Sequence, residues 1–152
     1  QRMSYCSLIY HIVFRPFASE RVITPDHADD LYRYICGFVE SRQSKVCEIG
    51  GMPDHIHLLV QINPKVAMSD FMRDLKTSAS KYMKDNPTWF PRFRGWGKSY
   101  CAITVSASRV PSVAGYIRRQ YEHHTKKSYA DEMREICLAY GIEVDEKYFL
   151  KE

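Results

Sequence analysis

Two histidines, His55 and His57, lie two residues apart within the short apolar run HIHLLV. A β-strand points alternate side chains to opposite faces, so both imidazoles would project from one face while Ile56 points to the other. Neutral imidazole nitrogen is a common metal ligand, and two imidazoles on one rigid strand make half of a divalent metal site. An ordinary half-buried strand explains an isolated pair equally well, so further ligands must decide.

A second pair of chemically useful residues, Tyr116 and Gln120, lies four residues apart near the C-terminal end of the chain. Residues at this spacing share one face of a helix. A phenol can attack phosphorus, and an amide oxygen can complete a metal site with two histidines. This donor set leaves room for substrate oxygens and favours Mg²⁺ or Mn²⁺. Tyr116 alone would be interpreted as an aromatic residue packed on a sheet, and only its combination with His55 and His57 favours catalysis.

Positive charge is concentrated in the middle of the sequence. Residues 73–127 contain 12 Lys and Arg against 3 Asp and Glu, whereas residues 128–152 contain 3 against 7. Positive charge interleaved with aromatic rings, including Trp89 and Trp96, suits single-stranded nucleic acid. A solvated helix face followed by an aromatic loop would have the same composition. The candidate contacts to a DNA backbone are Lys76, Lys81, Lys84, Arg92, Arg94 and Lys98.

The overall composition is that of one globular domain. The chain has 152 residues, of which 45% are hydrophobic and 26% charged. No apolar run approaches the roughly 18 residues of a membrane-spanning helix, and the first residues lack the apolar core of a signal peptide. The 5 cysteines are odd in number and show no Cys-x-x-Cys spacing, which favours reduced thiols and a cytoplasmic location.

The predicted elements alternate as β-α-β-β-α-β and then continue as helices. Strands are expected at 5–14, 45–49, 54–62 and 100–106, and helices at about 24–42, 68–85, 110–126 and 129–140. A turn is expected at Gly50, Gly51 and Pro53. This order is typical of the α+β, ferredoxin-like split βαβ sandwich, in which an antiparallel sheet has its first and third strands in the middle and helices on one face. The histidine pair would then lie on a central strand, on the face that the C-terminal helices can cover.

Several blocks make the sequence similar to a known family. They are YHIVF at 10–14, MPDHIHLLV at 52–60, FMRDLKTS at 71–78, the segment 96–106, YIRRQYEHH at 116–124 and YGIE at 140–143. Over nearly its whole length the chain resembles the single-tyrosine HUH transposases of the smallest bacterial insertion sequences, which are relatives of the REP-associated tyrosine transposases. The resemblance implies that His55, His57 and Gln120 bind a divalent metal and that Tyr116 is the nucleophile.

The resemblance also implies a reaction and an organisation. Such a transposase cleaves and rejoins single-stranded DNA at hairpin-bearing element ends through a 5′-phosphotyrosine, and works as a homodimer whose active sites are shared between subunits. One domain, 1–152, would comprise a core at about 5–106, a catalytic helix at about 110–126, and a C-terminal helix and tail at about 128–152. Tyr121 ranks below Tyr116 as nucleophile, and His123 and His124 are expected to flank the site or face solvent.

Three other interpretations were weighed. A histidine-triad nucleotide hydrolase would need a third histidine at position 59, which is Leu59. A non-catalytic module that binds nucleic acid on the same fold would need the basic and aromatic residues but neither Tyr116 nor Gln120. A domesticated relative that binds or cuts repeat DNA without moving a transposon would keep the same residues, so the sequence leaves that possibility open.

Overall fold

The computed structural model describes residues 4–120 and 127–145, and a four-stranded antiparallel sheet lies at its centre. Strand β1 spans Ile9–Phe14, β2 Lys45–Met52, β3 His55–Gln61 and β4 Cys101–Thr104. The strand order is β2-β3-β1-β4, and every neighbouring pair is antiparallel. The first and third strands are therefore central, which confirms the predicted ferredoxin-like α+β fold.

Helices cover both faces of the sheet. Helices α1 (Ala28–Ser41) and α2 (Met68–Asp85) pack on one face, and α3 (Val110–Arg118) packs on the other. Strand β3 is buried on both faces, because its side chains alternate between two faces that are both covered by helices. Its residues Ile56 and Leu58 contribute to the larger apolar cluster under α1 and α2, whereas Leu59 contributes to a smaller cluster with Ile117 of α3.

The larger apolar cluster is built from helical repeats that the sequence shows clearly. Phe71, Leu75, Ala79 and Met83 recur every fourth residue along α2, and all four are buried. Burying a large apolar side chain contributes about 1.5–3 kcal/mol each. This helix has the bounds that the pattern predicted. The α1 and α2 layer thus supports the face of the sheet that does not carry the histidine pair.

Two elements begin or end where tertiary contacts override the local signal. Pro25–His27 forms a short 3-10 turn before α1 begins. The hydroxyl of Thr24, at the predicted start of this helix, donates to the carbonyl oxygen of Trp89 at 2.7 Å. Strand β2 continues through the glycines that predicted a turn, because Gly50 pairs with His57 in the ladder.

The C-terminal part contains a shorter helix than predicted, followed by a helix that matches. Helix α3 ends at Arg118, and residues 121–126 lie outside the described ranges. Helix α4 spans Tyr129–Ala139. The hydroxyl of Ser128 accepts a hydrogen bond from the Asp131 amide at its start, and Gly141 takes a left-handed φ of 69° just beyond its end.

The 5 cysteines are free thiols. Within residues 4–120 and 127–145, no helix has the length and apolar character needed to cross a membrane.

Candidate active site

The two histidines lie side by side on β3, on the face covered by α3 and α4. Both side chains have no exposed surface. Val13 of β1 pairs with His57, so His11, two residues earlier on β1, projects from the same face. The shared face that the His-x-His spacing predicted is therefore present, and a third histidine from a neighbouring strand joins the pair.

Each histidine of the pair has one ring nitrogen engaged by a neighbouring side chain. Asp54 Oδ1 lies 2.7 Å from His55 Nδ1, and His11 Nε2 lies 2.8 Å from His57 Nδ1. Such contacts to the distal nitrogen fix the orientation of a metal-binding imidazole. Burial and the neighbouring His57 lower the pKa of His11 to about 3, so His11 is neutral and its Nε2 can accept a hydrogen bond from His57. The Nε2 atoms of both rings are left to face the same space.

A carboxylate from α4 lies at the point where these two nitrogens converge. Glu132 Oε1 is 3.3 Å from His55 Nε2 and 3.3 Å from His57 Nε2. Burial would raise the pKa of Glu132, but its contacts with His55 and His57 lower it to about 2. Burial acts to lower the pKa of His55, and the carboxylates of Asp54 and Glu132 outweigh it and raise that pKa. The three side chains form a buried group whose ligand atoms all lie within 4.8 Å of one another.

Gln120 touches this group from the segment that follows α3. Its Nε2 donates to Glu132 Oε2 at 3.1 Å, and its side chain is buried. Its other amide atom, Oε1, is also buried and has no hydrogen-bond partner among the described residues. A buried amide oxygen without a partner is costly unless a cation or a donor binds it. The predicted third ligand is thus at the histidine cluster, with its oxygen available.

The candidate nucleophile, Tyr116, lies beside the same cluster in the same chain. Its ring centre is 5.7 Å from that of His57 and 6.3 Å from that of His11, edge-on in both cases. Helix α3 reaches this position because it packs closely on β2. A Cβ atom at Gly50 would lie 3.0 Å from the carbonyl oxygen of Ile117, the residue that follows Tyr116.

Three of the six predicted DNA contacts, Lys76, Lys81 and Lys84, lie on α2 and so away from the histidine cluster. Lys81 and Lys84 are on α2, which packs on the opposite face of the sheet, and Lys81 pairs with Asp85. Lys76 donates to the carbonyl oxygens of Gly97 and Ser99.

The remaining three cations follow α2. Arg94 makes a two-pronged pair with Glu20, and Arg92 donates to the carbonyl oxygen of Arg21. Lys98 is exposed. Their contact with DNA stays a prediction, and Tyr121, His123 and His124 lie outside the described residues.

Sequence reasoning missed His11 and Glu132. His11 is in a block that carries the family resemblance. Once the register between β1 and β3 is known, its position two residues before Val13 places it on the same face of the sheet as His57. No pattern distinguishes Glu132 from its acidic neighbours Asp131 and Glu135 on the same helix.

Comparisons with known proteins find similarity to transposases. A family model described as IS200-like transposase matches residues 4–120. The ISDra2 transposase TnpA of Deinococcus radiodurans is 29% identical over 119 residues, covering 76% of this chain and 85% of the relative. The transposase for insertion sequence element IS200 of Salmonella typhimurium is 26% identical over 117 residues, covering 74% and 76% respectively.

Solved structures show the same likeness. A protein from Deinococcus radiodurans R1 assigned as a transposase aligns with a TM-score of 0.60 and 25% identity, covering 79% of this chain and 95% of that one. A REP-associated tyrosine transposase bound to a REP hairpin aligns with a TM-score of 0.60 over 82% of this chain and 73% of that one. The second pair is only 12% identical, so that likeness concerns the fold.

Proposed function

The chain belongs to the family of IS200-like transposases, and we propose that it cleaves and rejoins single-stranded DNA with Tyr116 as the nucleophile. One observation carries the proposal. The ring of Tyr116 lies 5.7 Å from that of His57, next to a buried cluster that gathers two imidazoles, a carboxylate and an amide oxygen. An aromatic residue that served packing alone would not require such a polar cluster beside it.

The donor set fits a divalent metal ion. His55 and His57 direct Nε2 atoms to a common space, their Nδ1 atoms are engaged elsewhere, and Gln120 offers a buried oxygen that has no partner among the described residues. We assign these three residues as ligands of Mg²⁺ or Mn²⁺. When bound there, the ion would act as a Lewis acid that polarises the scissile phosphate.

The protein itself supplies the nucleophile and a place for the intermediate. The oxygen of Tyr116 gives up its proton and forms a bond to phosphorus while the bond from phosphorus to the 3′ oxygen breaks. The departing 3′ oxygen takes up a proton, so one strand end leaves as a 3′-hydroxyl. The other end stays on the protein as a 5′-phosphotyrosine. Because the ester is retained, a second 3′-hydroxyl can attack it and join new ends without an external energy source.

We propose hairpin-bearing single-stranded DNA as the substrate. The solved relative with a bound REP hairpin supports this choice, as does the basic and aromatic segment 73–127, which suits an exposed strand. The family resemblance adds a homodimer with shared active sites. Sedimentation equilibrium tests the dimer, and a monomer at every concentration would contradict it.

Covalent attachment is the decisive test of the reaction. Labelled single-stranded DNA from the ends of the element is incubated with protein and Mn²⁺ or Mg²⁺, and the products are run on a denaturing gel. We expect an adduct that requires the metal and is absent from Tyr116→Phe, while Tyr140→Phe, which changes an exposed tyrosine, keeps it. His55→Ala and His57→Ala should lose cleavage and retain most DNA binding.

Two results would count against this assignment. An adduct formed by Tyr116→Phe would exclude Tyr116 as the nucleophile. Tight binding without an adduct under any metal would favour a module that binds hairpin or repeat DNA without cutting it.

A further inference from the structure

We propose that Glu132 is a ligand of the metal held by His55 and His57, so that the bound ion fastens α4 to the sheet. This inference rests on the metal site of the proposed function but not on the phosphoryl transfer. It adds a ligand from a separate C-terminal helix to the predicted set of His55, His57 and Gln120, and it gives that helix a role in assembling the site.

The positions of the atoms are those of neighbouring ligands around one ion. Divalent ions bind nitrogen and oxygen ligands at about 2.0–2.2 Å, which places adjacent ligand atoms about 3.0–3.6 Å apart. The same oxygen, Glu132 Oε1, is 3.3 Å from the Nε2 atoms of both histidines. An ordinary hydrogen bond from a ring nitrogen to a carboxylate would be shorter, at about 2.7–2.9 Å.

The chemistry of the facing atoms also suits a divalent ion between them. Asp54 accepts only, so His55 Nδ1 must carry the proton in that contact, and the Nε2 of a neutral ring then presents a lone pair to Glu132. Two electron-rich atoms facing each other in a buried site repel unless a proton or a metal ion lies between them. A single divalent ion satisfies His55, His57 and Glu132 together.

Glu132 is held in the orientation that such a ligand needs. Gln120 Nε2 donates to Glu132 Oε2, which leaves Oε1 directed at the histidines. One turn earlier on α4, the ring of Tyr129 packs 4.8 Å from that of His55 and lies under the guanidinium of Arg15. Helix α4 is thus already seated on the site by contacts on both sides of the carboxylate, and an ion bound by Glu132 would add to them.

The test measures metal binding and helix protection without DNA. Calorimetric titration with MnCl₂ is compared for wild type, Glu132→Gln and the matched control Glu135→Gln, which removes the same charge from the exposed side of α4 where Glu135 pairs with Lys127. We expect Glu132→Gln to weaken Mn²⁺ binding at least tenfold and to abolish the Mn²⁺-induced slowing of hydrogen exchange in residues 129–139. The control should behave as wild type does.

The possible failures are distinguishable. If His55→Ala abolishes Mn²⁺ binding but Glu132→Gln binds as tightly as wild type or more tightly, the carboxylate is not a ligand and only this inference fails. If wild type binds no Mn²⁺, the metal part of the proposed function fails with it. Should Glu132→Gln not fold, anomalous scattering from Mn²⁺ in wild-type crystals gives the answer. An ion about 2.2 Å from Glu132 Oε1 supports the proposal, and one beyond about 3.5 Å overturns it.

Discussion

The position of the proton on the His57 ring determines whether its Nε2 atom could bind the proposed metal. A neutral imidazole carries one proton, and a proton on Nδ1 leaves the Nε2 lone pair available. His11 Nε2 lies 2.8 Å from His57 Nδ1, and its lowered pKa keeps His11 neutral, so the tautomer with its proton on Nδ1 can accept a hydrogen bond from His57. We therefore expect His11 to act as a positioning residue that favours the tautomer of His57 suited to the proposed metal.

Replacement of His11 should weaken metal binding without disturbing the fold. His11→Phe keeps an aromatic ring but has no acceptor, so we expect Mn²⁺ affinity to fall about 10–100-fold, the usual effect of losing an outer partner of a metal ligand. His11→Gln offers an amide oxygen to the same nitrogen and should retain most of the affinity. Calorimetric titration measures both, with circular dichroism as the check on folding. Wild-type affinity in His11→Phe would show that β3 alone orients His57.

Among single residues, the sequence predicted those whose positions follow from local periodicity. His55 and His57 share a face because a strand repeats every two residues, and Tyr116 reaches the cluster beside them. The contact of His11 with His57 joins residues 46 apart and depends on strand register, which periodicity does not determine. Glu132 is contributed by a separate helix, so only tertiary packing could identify it.

Among the elements, the seating of α3 on β2 determines where Tyr116 lies. Gly50 of β2 gives α3 room, since a Cβ atom there would stand 3.0 Å from the carbonyl oxygen of Ile117 and 3.2 Å from its Cγ2. Both distances are tighter than ordinary van der Waals contact, and the nearer atom belongs to the helix backbone. Any side chain at position 50 must therefore push α3 outward by a few tenths of an ångström, and Tyr116 moves with it.

Gly50→Ala should thus reduce catalysis more than stability. Because a misplacement of about 1 Å can cost about a hundredfold in rate, we expect the smaller shift here to slow adduct formation about tenfold, with a fall of only a few degrees in Tm. Gly37→Ala is the matched control, since no atom lies within 4 Å of a Cβ at that helical position and alanine favours a helix by about 0.5–1 kcal/mol. A wild-type rate of adduct formation in Gly50→Ala would show that the position of α3 is not set by this contact.

Helix α2 and Gly50 show where the prediction of elements from sequence succeeded and where it failed. Helix α2 was predicted with its observed bounds because its apolar residues repeat at helical spacing and their burial follows directly. Gly50 indicates a turn when only its neighbours in sequence are considered. Its position against the backbone of Ile117 depends on a helix that comes about sixty residues later in the chain.

For the whole molecule, the two faces of the sheet are held by different kinds of contact. The face under α1 and α2 has the larger apolar cluster, whereas the face under α3 has a small one, with core residues such as Leu59 and Ile117. The buried polar cluster of His55, His57 and Glu132 continues this second face towards α4. A metal ion bound there would link elements that are distant in sequence, so metal binding should stabilise the whole fold.

The size of this stabilisation by a bound metal follows from the linkage between binding and folding. A ligand that binds only the folded state at 100 times its dissociation constant adds about 2.7 kcal/mol to the free energy of unfolding. For a chain of this length each kcal/mol raises Tm by about 2–4 °C, so saturating Mn²⁺ should raise Tm by about 5–10 °C over protein treated with a chelator. Differential scanning calorimetry measures this shift, and a variant with both His55→Ala and His57→Ala should show none. An equal shift in that variant would mean that Mn²⁺ stabilises the protein elsewhere, and the histidine pair would lose its assignment as the metal site.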